Sequence, residues 1–266
     1  MKGVLTTVIC FSCFSFTRAQ HITSVQRIYS ISVKDSFDIY ITTTADHVPG
    51  KYDEVVYYLD ANLRSGKLFR QVAEDHSVNF KKSFVYVGIG HIGNFHQLRR
   101  RDFILPFIRN GDTIPKSAEY GQIDHFYQFL RLELIPLIDK RYPSAGRRSI
   151  LGHSLGGLFA VYCLFRNEGL FDKHFALSPA LWIDDYRIFS FNKITDTLTR
   201  HSYFFLAAGS KEQHNQILAG FHRMEEFIDQ KKYPNLGFDW HIYHGTHNSY
   251  LKRDMERILY DKVLRR

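Results

Sequence analysis

Residues 150–160 read ILGHSLGGLFA: an apolar approach, Ser154 with a glycine two places before it and two after, then small and apolar residues again. A G-x-S-x-G string is common enough by chance that only its surroundings give it meaning. Upstream, RRSILGHS is a short and nearly continuous apolar run, as expected of a strand buried on both faces. Downstream, apolar residues continue to about Asn167 and read as a helix. A strand ending at Gly152 and a helix starting near Leu155 place Ser154 at the tip of a strand-to-helix turn. Flanking glycines let the chain segments approach there, so that a hydroxyl can stand exposed above a sheet.

Working outward, EVVYYLD (54–60) and SFVYVGIG (83–90) are two further apolar runs of the same kind, ending near Leu59 and Gly88. Between the second of these and the serine turn, residues 120–142 carry Phe126, Phe129, Leu130, Leu134 and Leu137 at helical spacing. That is the crossover helix a parallel sheet requires. Residues 27–32 and 37–43, separated by VKDS, read as an antiparallel entry hairpin. Beyond the serine, strands are expected at 174–177, 203–210 and 237–245. Helices are expected at 211–232 and 250–264, and a helical candidate at 184–199. The alternation predicts an α/β fold with about eight strands, mostly parallel, and helices on both faces.

Composition fits that reading. The chain has 266 residues, 44% hydrophobic and 23% charged, the profile of an ordinary globular protein and not of a disordered or membrane-embedded one. Residues 1–20 have Lys2, an apolar stretch from about Val4 to Phe16, and small or polar residues before Gln20, which is the grammar of a signal peptide. Cleavage there leaves one domain over 21–266, a secreted or periplasmic location, and no stable membrane insertion. Cys163 is then the sole cysteine, with a packing role in an apolar helix and no disulfide to form. The formal charge is +8, of which Lys2 and Arg18 lie in the leader. The densest basic run, Arg99 to Arg101, is too short for a nucleic-acid arm and comes with no nucleic-acid motif. It suits a solvated face or an anionic substrate.

A serine hydroxyl becomes a nucleophile when a histidine takes its proton, and that histidine needs an acceptor at its other ring nitrogen. In the α/β-hydrolase arrangement the chain order is serine, acid, histidine. His247 lies out in the loop after the last strand, in reach of Ser154, whereas His244 sits at the strand end as a structural histidine. Their spacing lacks a third ligand, so neither a metal nor an organic cofactor is expected. Glu212, after the 203–210 strand and its Gly209 turn, is the leading acid, with Asp184 and Asp185 as competitors. An oxyanion hole needs two convergent N–H groups: Leu155 is one candidate, and Ala61 or Asn62 the other. His153, beside the nucleophile, reads as structural because its side chain points away from the hydroxyl in such turns.

The same residues resemble the putative-esterase branch of the α/β-hydrolases, which includes siderophore (enterobactin-type), feruloyl and acetyl-xylan esterases, esterase D and the mycolyltransferases. The resemblance runs through VVYYLDAN, VGIGHIGNFHQLRRRDFILP, FYQFLRLELIPLIDKRY, GHSLGGLFAVYCLF, LSPALWIDD, LAAGSKE and GTHNSYLKRDMERIL, in that order. It implies an α/β-hydrolase fold and a serine esterase in which Ser154 is the nucleophile, Glu212 the acid and His247 the base. Two departures stand out: Ala61 replaces a glycine of the family pattern, and the Arg-Asp segment is unusually basic, with Arg101 and Asp102 read as structural. The substrate expected is a small ester. Arg99 and Arg100 suit an anionic catecholate lactone, and Trp182 and Tyr186 suit a feruloyl or sugar acetyl ester equally. An acyltransferase of the same fold, and a hydrolase-fold binding protein without catalysis, are the alternatives. Oligomeric state is not encoded in any motif.

Overall fold

A computed structural model describes residues 23–44, 52–76, 82–109, 112–114, 120–212 and 216–264. The leader expected over residues 1–20 lies outside them.

Strands β1 (Thr23–Ser30) and β2 (Asp35–Thr43) pair antiparallel as the entry hairpin, in which β1 starts and ends earlier than its apolar pattern suggested and β2 starts earlier but ends at Thr43 as expected. β3 (Glu54–Leu59) and β4 (Phe84–His91) follow, buried throughout, joined by α1 (Arg64–His76). α2 (Phe95–Phe103) leads to a small hairpin, β5 (Phe107–Arg109) with β6 (Asp112–Ile114), which the sequence pattern did not suggest. After the crossover helix come β7 (Arg148–His153), α5 (Leu155–Arg166) and β8 (Lys173–Leu177). The C-terminal part adds β9 (Ser202–Gly209), α8 (Ile217–Lys231), β10 (Leu236–Tyr243) and α9 (Ser249–Ile258).

Eight of these strands form one sheet in the order β1-β2-β4-β3-β7-β8-β9-β10. β2 runs antiparallel to both its neighbours, and the remaining pairs are parallel. Progress along the chain moves from β3 outward to β4, then resumes on the other side at β7. The carboxyl ends of β3 and β7 therefore flank a switch point, the place where open α/β sheets bind ligands. Core side chains cover both faces. One face packs Phe103, Phe126, Phe159, Phe221 and Met224 from α2, α5, α8 and the crossover helix. The other packs Phe69 and Ala73 of α1 against Tyr250, Leu251 and Met255 of α9.

The crossover helix is interrupted. It runs as α3 (Ile123–Gln128), a π-helical stretch (Phe129–Leu134) and α4 (Ile135–Arg141). Pro136 has no N–H for the helix ladder and its ring crowds the preceding turn, so a widened turn just before it relieves the conflict. The wide turn also shifts the helical phase. Phe126, Phe129, Leu130 and Leu134 are buried as their spacing predicts, but Leu137 is 44% exposed and Ile138 takes the inward place at 1%.

The helical candidate at 184–199 reduces to two single turns, α6 (Ile183–Tyr186) and α7 (Ile188–Phe191). Asp184, Asp185 and Tyr186 have φ of 49°, 53° and 58°, outside a right-handed helix. Ile188, Ile194 and Leu198 are buried, so the apolar spacing reflects anchoring of an irregular segment to the core. The helix expected from residue 211 begins only at Ile217, which leaves Glu212 in the turn after β9.

Candidate active site

Ser154 occupies the turn between β7 and α5 with φ 60° and ψ −117°, a conformation that L-residues rarely adopt. Neighbouring strands enforce it. Ser154 N–H donates to Leu177 O at 2.9 Å, and Ser154 O accepts from Ala180 N–H at 3.0 Å and from Leu158 N–H at 3.0 Å. Gly152 is required by close approach, since a Cβ there would stand 2.1 Å from Gly156 O. The strand, the helix and the loop after β8 thus converge on one serine.

Glu212 and His247 meet across the ends of β9 and β10. His247 Nδ1 lies 2.7 Å from Glu212 Oε2, and the Glu212 side chain is fully buried. Glu212 Oε1 accepts from Gly209 N–H at 2.6 Å and from Ser178 Oγ–H at 2.7 Å. A Cβ on Gly209 would lie 2.7 Å from that same oxygen, so glycine is needed for the carboxylate to fold back on the strand end. Ser178 Oγ also contacts Tyr250 Oη at 2.9 Å. Because the serine has a single proton and gives it to Glu212, the phenol must be the donor in that contact. Burial pushes the Tyr250 phenol well above its ordinary range, which keeps that proton in place. Sequence reasoning missed Ser178 and Tyr250, although LSPAL and HNSY carry them at the ends of the flanking segments.

Asp184 and Asp185 do not approach His247 by any hydrogen bond or ion pair among the described residues; Asp185 is exposed and Asp184 faces the cavity. The His244 side chain is exposed, and its carbonyl accepts from Arg253. His153 is buried, and its Nε2 lies 3.0 Å from His247 O. Cys163 is buried and its thiol is held well above the ordinary range by that burial. No group of three or more metal-ligating side chains occurs among the described residues.

Ser154 and His247 line a cavity of about 500 Å³ together with Leu155, Arg100, Tyr120, Trp182 and Asp184. No hydrogen bond joins the Ser154 hydroxyl to His247 among the described residues. Catalytic bonds of this kind commonly tighten only around a substrate. Of the oxyanion candidates, Ala61 is corrected: its N–H already donates to Ile89 O at 3.0 Å, extending the ladder between β3 and β4. Asn62, with its side chain fixed on His91 O at 2.6 Å, has no such backbone acceptor among the described residues, and Leu155 opens α5 directly after Ser154.

The arginine run divides by helix geometry, since successive residues point about 100° apart. Arg99 is corrected as a cavity residue: it forms a bidentate pair with Asp60 at 2.8 and 2.9 Å and donates to His153 O at 3.2 Å. Asp60 is buried with φ 59°, so this pair braces the loop after β3 against the serine turn. Arg101 bonds Asp102 and Asp35, and Asp102 in turn holds His91 at 2.9 Å. Arg100 is left facing the cavity, which Trp182, 37% exposed, also lines.

Comparison with known proteins gives the family. The family model described as "Putative esterase" matches residues 32–251. The ferri-bacillibactin esterase BesA of Bacillus subtilis (strain 168) is 29% identical over 210 residues, covering 73% of this chain and 72% of the relative. The siderophore triacetylfusarinine C esterase of Aspergillus fumigatus is 31% identical over 136 residues, 48% of this chain and 44% of that protein. Among solved structures, the BES protein from Bacillus cereus superposes with a TM-score of 0.77 at 24% identity, covering 97% of each chain. An IroE-like serine hydrolase from Shewanella oneidensis gives 0.71 at 21%, covering 90% of this chain and 80% of that one. With the family model spanning most of the chain, the protein belongs to the putative-esterase family, is an esterase, and has the α/β-hydrolase fold of its structural neighbours.

Proposed function

We propose that the protein hydrolyses siderophore esters through an acyl-enzyme on Ser154. The observation that carries this reading is the Glu212–His247 bond beside a serine in a strained turn, with Ser154 and His247 opening on one cavity. His247 Nε2 takes the Ser154 proton as Oγ attacks the ester carbonyl. Glu212 holds Nδ1–H in place and stabilises the imidazolium that results. The N–H groups of Leu155 and Asn62 receive the developing oxyanion. His247 then returns the proton to the leaving alkoxide, and water repeats the sequence to free the acid.

The siderophore assignment is supported by the activities named for BesA and for the Aspergillus fumigatus enzyme, and by Arg100 in the cavity. A guanidinium and an indole lining one cavity suit an aromatic acyl group carrying negative charge, such as a catecholate. Export through the N-terminal leader would place the enzyme outside the cytoplasm, where such chelates arrive; N-terminal sequencing of the purified protein tests it.

Ser154→Ala and His247→Ala should each abolish p-nitrophenyl ester hydrolysis, and His244→Ala should leave it intact. Undiminished hydrolysis by the Ser154 variant would remove the mechanism. Substrate class is decided by assaying a ferric tri-catecholate trilactone beside a neutral hydroxamate triester and a feruloylated oligosaccharide. Arg100→Gln should raise KM for the catecholate while leaving the neutral ester unchanged. Turnover of the feruloyl ester alone would overturn the siderophore assignment.

A further inference from the structure

His153 stands between Gly152 and the nucleophile, yet its side chain belongs to the other half of the site. The ring is 7% exposed, its Nε2 lies 3.0 Å from the carbonyl oxygen of His247, and its centroid is 4.3 Å from the His247 ring at 41°. A carbonyl only accepts, so Nε2 carries the proton and donates. Its own backbone carbonyl takes a hydrogen bond from Arg99, which is clamped on Asp60. One residue therefore links the loop after β3, the serine turn and the histidine loop.

We infer that His153 is a positioning residue: it holds the His247 loop so that the base imidazole stands over Ser154. The inference rests on the assignment of His247 as the base. Glu212 fixes the Nδ1 edge of His247, but a single bond leaves the ring free to swing with its loop. The bond from His153 to the His247 backbone, and the ring packed beneath, remove that swing. Burial, together with the neighbouring His247 and Arg99, depresses the His153 pKa well below its ordinary value. His153 thus stays neutral at working pH, and places no second positive charge beside His247 when the base takes a proton.

Gln and Asn separate the functions of this ring. A Gln amide nitrogen falls where Nε2 was and can still donate to His247 O; an Asn amide is too short, and Phe keeps the ring but loses the donor. The measurement is steady-state hydrolysis of a p-nitrophenyl ester by wild type, His153→Gln, His153→Asn and His153→Phe, with thermal unfolding of each. His153→Phe and His153→Asn should lose about 10- to 100-fold in kcat with KM unchanged, the scale expected of a misplaced catalytic group. His153→Gln should recover most of that loss, whatever the order of melting temperatures. Wild-type kcat in His153→Phe, or equal impairment of Gln and Asn, overturns the inference. Should the Phe variant not fold, the Gln and Asn pair decides it. An inactive wild type would instead count against the proposed function itself.

Discussion

Ser178 has one proton, and it goes to the Glu212 carboxylate. Replacing Ser178 with Ala removes one of the bonds that hold Glu212 and leaves the buried Tyr250 hydroxyl without its acceptor. Replacing Tyr250 with Phe removes a donor and orphans only a lone pair on Ser178. Ser178→Ala should therefore cost about 1–3 kcal/mol of stability, more than Tyr250→Phe, and lower kcat where Tyr250→Phe does not. Urea unfolding and ester hydrolysis on the two variants check this; the reverse order would mean that the phenol, not the serine, positions Glu212. At this scale the Ser154 turn and the meeting of Glu212 with His247 were legible because each residue follows a strand end in the order that the chemistry of a serine nucleophile would demand. Ser178 and Tyr250 were not, because a hydroxyl in LSPAL has no pattern to mark it. Ala61 and Arg99 misled for a related reason: a backbone N–H and a guanidinium both look available until a partner from a distant segment is seen to hold them.

The crossover helix shows what periodicity can and cannot carry. Its five apolar positions fit a 3.6-residue repeat, and four of them are buried. The repeat assumes an uninterrupted α-helix, whereas the π-helical stretch before Pro136 adds a residue to one turn and rotates everything after it. The consequence is measurable. Leu137→Gln should change stability by no more than about 0.5 kcal/mol, as at an ordinary surface position. Ile138→Ala should cost about 2–5 kcal/mol through the cavity it leaves. Chemical unfolding of both variants distinguishes this from an unbroken helix, for which Leu137→Gln would be the damaging change. The 184–199 segment makes the complementary point. Apolar residues spaced as on a helix are also what an irregular strap needs when it must be pinned to a core at intervals.

Across the whole molecule, charge and polarity buried beneath the sheet bind the elements together. Glu54 at the start of β3 pairs with Lys173 at the start of β8 at 2.7 Å and accepts a bond from Ser149 of β7. That network fixes three strands at the end opposite the active site, so both ends of the sheet centre are cross-linked by polar groups. Two buried histidines give the fold a shared pH response. His174 of β8 is held down to about 3, chiefly by burial, and His153 is lowered for the same first cause. Both remain neutral in the folded protein while the unfolded chain protonates near pH 6.5. Below that pH the unfolded state binds more protons, so stability falls as acid is added. Each histidine contributes a slope approaching about 1.4 kcal/mol per pH unit. For His174 that slope persists down to its folded value near 3; above pH 6.5 neither residue contributes any dependence. Urea unfolding at pH 7, 6, 5 and 4 should show this decline, and His174→Phe, which cannot protonate, should flatten it by one histidine's share. An unchanged slope in that variant would mean that His174 takes its proton within the fold, and that the start of β8 admits water.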